Sequence, residues 1–210
     1  MPLVYQQNIN SVTEIGVWHI TEAESFFLEQ VPLQRNITHW HKRLQHLAGR
    51  ILLKTLVPDF PVSLIQVADT KKPFLENEPY HFSISHCGDY AAAIVSTGYR
   101  VGVDVELITN KATALVPKFL TNAEKDLWLS DHADAMATLC WSAKESLFKW
   151  YSLGGVDFKK DMRIIKITGT EEQGTMDMLF RENTALQLQY LHFNGYYLTW
   201  LDTPQLTSFI

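Results

Sequence analysis

Apolar residues along the chain recur with two different periods, and each period predicts its own kind of element. In "THWHKRLQHLAGRILLKTLV", Trp40, Leu44, Leu47, Ile51 and Leu52 return every three or four residues, while Lys42, Arg43, Arg50 and Lys54 share the remaining surface. That spacing predicts an amphipathic helix. A second helix is expected from Asp134 to about Tyr151, with Cys140, Ala143, Leu147 and Trp150 as its core stripe and the pair Gly154-Gly155 as its stop. Period two dominates elsewhere. "VWHI", "VSLIQVA", "YAAAIVS" and "VGVDVELI" read as strands, and "KKPFLENEPYHFSIS" reads as a loop running into one. "MRIIKI", "TMDMLF", "LQLQYL" and "YYLTWL", separated by Gly-containing turns, read as an antiparallel meander. Two capping boxes are expected, Thr21 with Glu24 and Thr121 with Glu124, each opening a helix. Helices and strands do not alternate strictly, so the fold class is α+β rather than a doubly wound sheet.

Composition narrows the classes further. The chain has 210 residues, 46% hydrophobic and 12% aromatic, enough core for one large domain or two small ones. With 20% charged residues and no low-complexity run, disorder is not expected. No apolar stretch approaches the ~20 residues of a membrane span, and "MPLVYQQNINSVTEIGVW" lacks the basic and apolar regions of a signal peptide. Two cysteines make no disulfide framework, which points to a reducing cytoplasm. A net charge of −5 argues against a general nucleic-acid binder and leaves a local basic patch open.

Three stretches carry candidate chemistry. In "VGVDVELI", Val101, Val103, Val105 and Leu107 share one face, and Gly102, Asp104, Glu106 and Ile108 share the other. Two carboxylates side by side raise each other's pKa unless water or a cation relieves them. Oxygen ligands without a nearby Cys or His suit a hard ion, Mg²⁺ before Zn²⁺, and Mn²⁺ as well. In "WSAKESLFKW", Glu145 and Lys149 are one turn apart. They form either an ordinary surface pair or a third oxygen ligand with a lysine beside it, Lys144 and Lys149 then reaching for an anion. In "FSISHCGDYAAAIVS", Ser85 and His86 stand where a strand gives way to a turn, as hydrogen-bonded turn residues or as donors to a phosphate. Cys87 beside His86 invites a thiol nucleophile, but adjacent strand side chains point apart.

The joint occurrence of "SISHCGDYAAAIV", "VGVDVE" and "WSAKESLFK", in that order and preceded by "KKPFLENEPYHFSISH", resembles the 4′-phosphopantetheinyl transferase superfamily, in particular its Sfp-like (surfactin-synthetase-type) branch. The resemblance implies transfer of 4′-phosphopantetheine from coenzyme A to a serine of an apo acyl or peptidyl carrier protein, with release of adenosine 3′,5′-bisphosphate. It implies Asp104, Glu106 and Glu145 as Mg²⁺ ligands, Lys144 and Lys149 on coenzyme A phosphates, Ser85 and His86 at the 3′-phosphate, and Lys72 near the nucleotide. Glu145 or Glu124 would be the general base. At the position where the branch commonly has an arginine on its first long helix, this chain has Gln45; Arg43 or Arg50 would have to substitute, Arg50 by preference. The family fold is two pseudo-symmetric α+β halves with coenzyme A in the cleft between them, which implies halves 1–100 and 101–210. Such a chain can work as a monomer in the cytoplasm, with no nucleic-acid or membrane partner. Carrier proteins of this kind are typically acidic, so a docking surface must be locally basic or apolar, with "ALVPKFL" as a candidate. The alternatives are a non-catalytic coenzyme A or nucleotide binder of the same fold and a metal-dependent hydrolase.

Overall fold

The computed structural model describes residues 2–33, 36–69 and 72–204. The described chain divides into two compact units, one reaching Val101 and the other running from Gly102 to Thr203. Each is an α+β unit in which a sheet carries one long helix.

In the first unit, strands β1 (Leu3–Asn10), β2 (Thr13–His19), β5 (His81–Cys87) and β6 (Tyr90–Ser96) form an antiparallel sheet in the order β1-β2-β6-β5. Helix α1 (Glu24–Leu28), helix α2 (Trp40–Leu56) and the short pair β3 (Gln66–Val67) and β4 (Pro73–Phe74) complete it. The apolar stripe of α2 does what its period demands: Leu47, Ile51, Leu52 and Leu53 are buried in one cluster with Phe27, Ala91, Ala93 and Val95. Helix and strand approach closely at Gly49, where a Cβ would lie 2.7 Å from Ile84 Cγ2.

In the second unit, β7 (Tyr99–Leu107) is followed by α3 (Asn110–Phe119), α4 (Asn122–Lys125) and α5 (Ala133–Tyr151). The meander β8 (Met162–Gly169), β9 (Gln173–Phe180), β10 (Thr184–Phe193) and β11 (Tyr196–Pro204) completes a sheet ordered β7-β11-β10-β9-β8. The expected stripe of α5 is fully buried. Polar atoms on its buried side are bonded to the sheet: Ser146 Oγ donates to Thr199 O at 2.8 Å, and Trp150 Nε1 donates to Thr203 Oγ1 at 2.7 Å. Strand β7 meets α5 at Gly102, where a Cβ would stand 2.1 Å from Ser146 O, so no larger residue permits this approach.

Four expectations are corrected. No side chain caps α1, because the helix begins at Glu24 and its N-cap is Ala23, which has no side-chain acceptor; Glu24 makes a two-toothed ion pair with Arg43. "VSLIQVA" gives a 3₁₀ turn at Val62–Leu64 and only two strand residues. Trp40 falls in the first turn of α2, beyond the reach of the core, and is 64% exposed. Helix α5 ends not at its glycines but at Ser152, which takes the left-handed conformation with φ 67°. The box of Thr121 with Glu124 forms as expected.

Candidate functional site

The alternation of β7 turns Val101, Val103 and Val105 into the core and sets Asp104 and Glu106 on the face of Gly102, the face that α5 crosses. Asp104 is only 2% exposed, and its Oδ1 accepts a hydrogen bond from Lys149 Nζ at 2.6 Å. The cation that relieves the strand's carboxylates is thus supplied within the chain, from a helix. Glu145, one turn before Lys149, lies in the same field. Burial first, then the negative charges of Asp104 and Glu106, push its carboxyl up to about 7, while Lys149 pulls the other way. The structure therefore brings Asp104, Glu106, Glu145 and Lys149 together, from two elements locked at Gly102.

Among the described residues, no three His, Cys, Asp or Glu side chains converge closely enough to grip an ion. The donor set is nonetheless chemically suited to one. It is all carboxylate, without thiol or imidazole, which fits a hard divalent cation of the Mg²⁺ or Mn²⁺ kind. A Glu145 carboxyl raised toward neutrality by burial first and then by its acidic neighbours gains from such a charge.

Lys144 and Glu124 sit elsewhere. Lys144 is fully buried and donates to Phe119 O at 2.6 Å, Glu124 Oε1 at 2.6 Å and Phe158 O at 2.9 Å. These three bonds use all three ammonium protons and leave none for a phosphate, contrary to the expectation for this lysine. Glu124 is equally committed: Oε1 also accepts from Ile164 N at 3.0 Å, and Oε2 accepts from Thr121 N at 2.7 Å and Thr121 Oγ1 at 2.9 Å. Its capping box and its lysine account for it, and as a general base it would have to abandon both. Burial draws the Lys144 ammonium below the ordinary lysine range, and Glu124 opposes the shift.

On the first unit a cavity of about 170 Å³ is lined by Gln45, His46, Arg50, Val67, Pro73, Ile84 and His86. Arg50 is buried with Nη1 donating to His46 O at 3.2 Å, and Gln45 Nε2 donates to Gly88 O at 2.8 Å, tying α2 to the β5–β6 turn. Gln45 Oε1 is buried there and accepts no hydrogen bond from the described residues. Arg50 is therefore the arginine at this cavity, whereas Arg43 is spent on Glu24. His46 is a lining residue that sequence reasoning did not single out, although it precedes Arg50 by one turn. Ser85 and His86 part company: His86 lines the cavity with Ile84, and buried Ser85 points to the opposite face of β5. Lys72 is lowered to about 8, by burial first and then by Arg100, with Glu78 opposing. Cys87 and Cys140 form no disulfide, and burial pushes the Cys140 thiol to about 12, which leaves it inert.

In this unit a strand and a helix that meet at Gly102 hold three carboxylates and a lysine in one electrostatic field. Residues 100–201 match the family model described as the 4′-phosphopantetheinyl transferase superfamily. That stretch holds the acids and Lys149. Among curated proteins, the chain is 33% identical over 115 residues to enterobactin synthase component D of Salmonella typhi, covering 53% of this chain and 49% of that one. It is 37% identical over 114 residues to enterobactin synthase component D of Escherichia coli O157:H7, covering 51% and 54%. It is 31% identical over 116 residues to the 4′-phosphopantetheinyl transferase AcpT of the same organism, covering 51% and 57%. The chain spans about half the length of the curated relatives it matches.

Proposed function

We propose that this protein transfers 4′-phosphopantetheine from coenzyme A to a serine hydroxyl of an apo acyl or peptidyl carrier protein, releasing adenosine 3′,5′-bisphosphate. The observation that carries the reading is the cluster of Asp104, Glu106, Glu145 and Lys149, assembled inside the stretch that matches the superfamily. Asp104, Glu106 and Glu145 would hold Mg²⁺, or Mn²⁺. Such an ion, when bound, neutralises charge on the attacked phosphate and on the departing group.

The chain's own residues supply the rest. Lys149 Nζ offers protons to a phosphate oxygen once it turns from Asp104, so it rather than Lys144 is the phosphate contact on α5. Glu145 is the better of the two bases. It stands in the acid cluster, and Glu124 is bonded on both oxygens. Arg50 and His86 are the phosphate donors of the first unit, and Lys72 a further cation there. The motif order supports the Sfp-like branch, and the reading includes a cytoplasmic enzyme that acts as a monomer without a membrane or nucleic-acid partner. A pure binder would have little use for three mutually repelling carboxylates.

Chromatography of the nucleotide products tests the reaction class. We expect adenosine 3′,5′-bisphosphate to appear from coenzyme A one-for-one with modified carrier, and only when the carrier is present. Release without carrier would identify a hydrolase, and coenzyme A bound but never broken down would identify a binder.

A further inference from the structure

The cavity of the first unit lies where α2 passes over β5. Gly49 permits the approach, since a Cβ there would lie 2.7 Å from Ile84 Cγ2, and Gln45, His46 and Arg50 around it line the cavity together with Ile84 and His86. Two contacts tie α2 to the β5–β6 turn. Gln45 Nε2 donates to Gly88 O at 2.8 Å, and His41 Nε2, one turn earlier, stands 3.1 Å from Asp89 Oδ1. The bond to Gly88 settles which end of the amide is which, because only an N–H can meet a carbonyl oxygen. Gln45 Oε1 is therefore an acceptor held in place. Gln45 is only 2% exposed, and this oxygen receives no hydrogen bond from the described residues. A buried acceptor without a donor is costly, and a ligand that brings an O–H or N–H relieves that cost.

The rest of the lining calls for the opposite kind of group. Arg50, buried, brings a fixed positive charge, and His46 and His86 bring imidazoles that can donate. Among the described residues that line the cavity, none is acidic. A phosphate suits the guanidinium and the imidazoles. Largely ionised at neutral pH, it offers acceptors and cannot serve Gln45 Oε1. A phosphate with a hydroxyl on the neighbouring carbon satisfies both halves of the cavity.

We propose that Gln45 is a specificity-determining residue that reads a hydroxyl vicinal to the bound phosphate, its Oε1 accepting that O–H while Arg50 and His86 hold the phosphate. On the transferase reading above, on which this rests, the ligand is coenzyme A. Of its phosphates only the one on the ribose 3′-oxygen has such a neighbour, the 2′-hydroxyl. Gln45 thereby separates the ribonucleotide from its 2′-deoxy counterpart. A site built to bond a hydroxyl rejects the analogue that lacks it, because its own polar group is then left unpaired.

Calorimetric titration of the full chain with adenosine 3′,5′-bisphosphate and with 2′-deoxyadenosine 3′,5′-bisphosphate tests this without turnover. We expect wild type to bind the ribonucleotide at least about fivefold more tightly than the deoxynucleotide, the scale of one lost hydrogen bond. Gln45→Met, of similar length but without the acceptor, is expected to bind the two within about twofold of each other. A merely structural Gln45 would weaken both equally in the variant and keep their ratio, which would overturn the proposal. Equal affinity of wild type for the two nucleotides would also overturn it and leave the transferase reading standing. Binding of neither would remove coenzyme A from this cavity and the proposal with it. The expected preference, found in a chain that never modifies a carrier, would keep the hydroxyl contact and remove the transferase reading.

Discussion

A single hydrogen bond, Lys149 Nζ to Asp104 Oδ1, resolves the electrostatic problem posed by two acids on one strand face. Glu145 keeps part of that problem. Its carboxyl, ordinarily near 4.5, stands at about 7 in the fold, so the folded chain holds this proton more tightly than the unfolded chain. The stability this contributes is complete below about 4.5 and is lost as pH rises through about 7. Glu145→Gln cannot ionise and escapes that loss. In chelator-containing buffer its thermal midpoint relative to wild type is expected to climb between pH 5 and pH 8, values chosen to bracket the titration at about 7. A flat difference would mean that neither burial nor the neighbouring acids raise this carboxyl. At this scale the sequence was informative on one side only. Period two places Asp104 and Glu106 together, but nothing in a one-dimensional pattern says which lysine completes them, because Lys149 arrives by tertiary packing. Lys144 looked equivalent to Lys149 in sequence, and a different angle around α5 sent it into the interior.

Elements set these angles, and two points decide them. The first is Gly102, where α5 passes so close to β7 that a methyl group would meet Ser146 O at 2.1 Å. Gly102→Ala is expected to destabilise the chain by about 1–3 kcal/mol and to lower activity beyond what the lost folded fraction explains, since it displaces Glu145 from Asp104. Urea unfolding and initial rates on the same samples check this. The second point is the Lys144–Glu124 pair. Lys144→Met leaves a buried carboxylate alone and should cost about 3–5 kcal/mol, with Glu124→Gln in the same chain recovering part of it, again by urea unfolding. Equal stability of Lys144→Met and wild type would show that the pair organises nothing. The Thr121-x-x-Glu124 box was legible because both partners are local, yet its second task was not, because Lys144 comes from another helix. The equally regular Thr21-x-x-Glu24 failed because the helix starts only at Glu24, with Ala23 at its N-cap, and Glu24 pairs with Arg43.

At the scale of the whole molecule, hydrophobic periodicity foretold an α+β protein with two long helices and a C-terminal meander, and those elements formed. What the pattern missed was weakly patterned: β1 alternates little between apolar and polar, and its residues are half-buried or exposed. The family resemblance read from three short motifs is met by the match over residues 100–201, where two of those motifs lie. The first unit, with its Arg50 and His86 cavity, stands on its own geometry. The central claim is that the acid cluster on β7 and α5 carries phosphopantetheine transfer. Mass spectrometry of an apo carrier incubated with coenzyme A and Mg²⁺ tests it most directly, using wild type and Asp104→Asn side by side. The account predicts that the carrier gains the mass of phosphopantetheine with wild type and not with Asp104→Asn. A carrier modified equally well by both would contradict it.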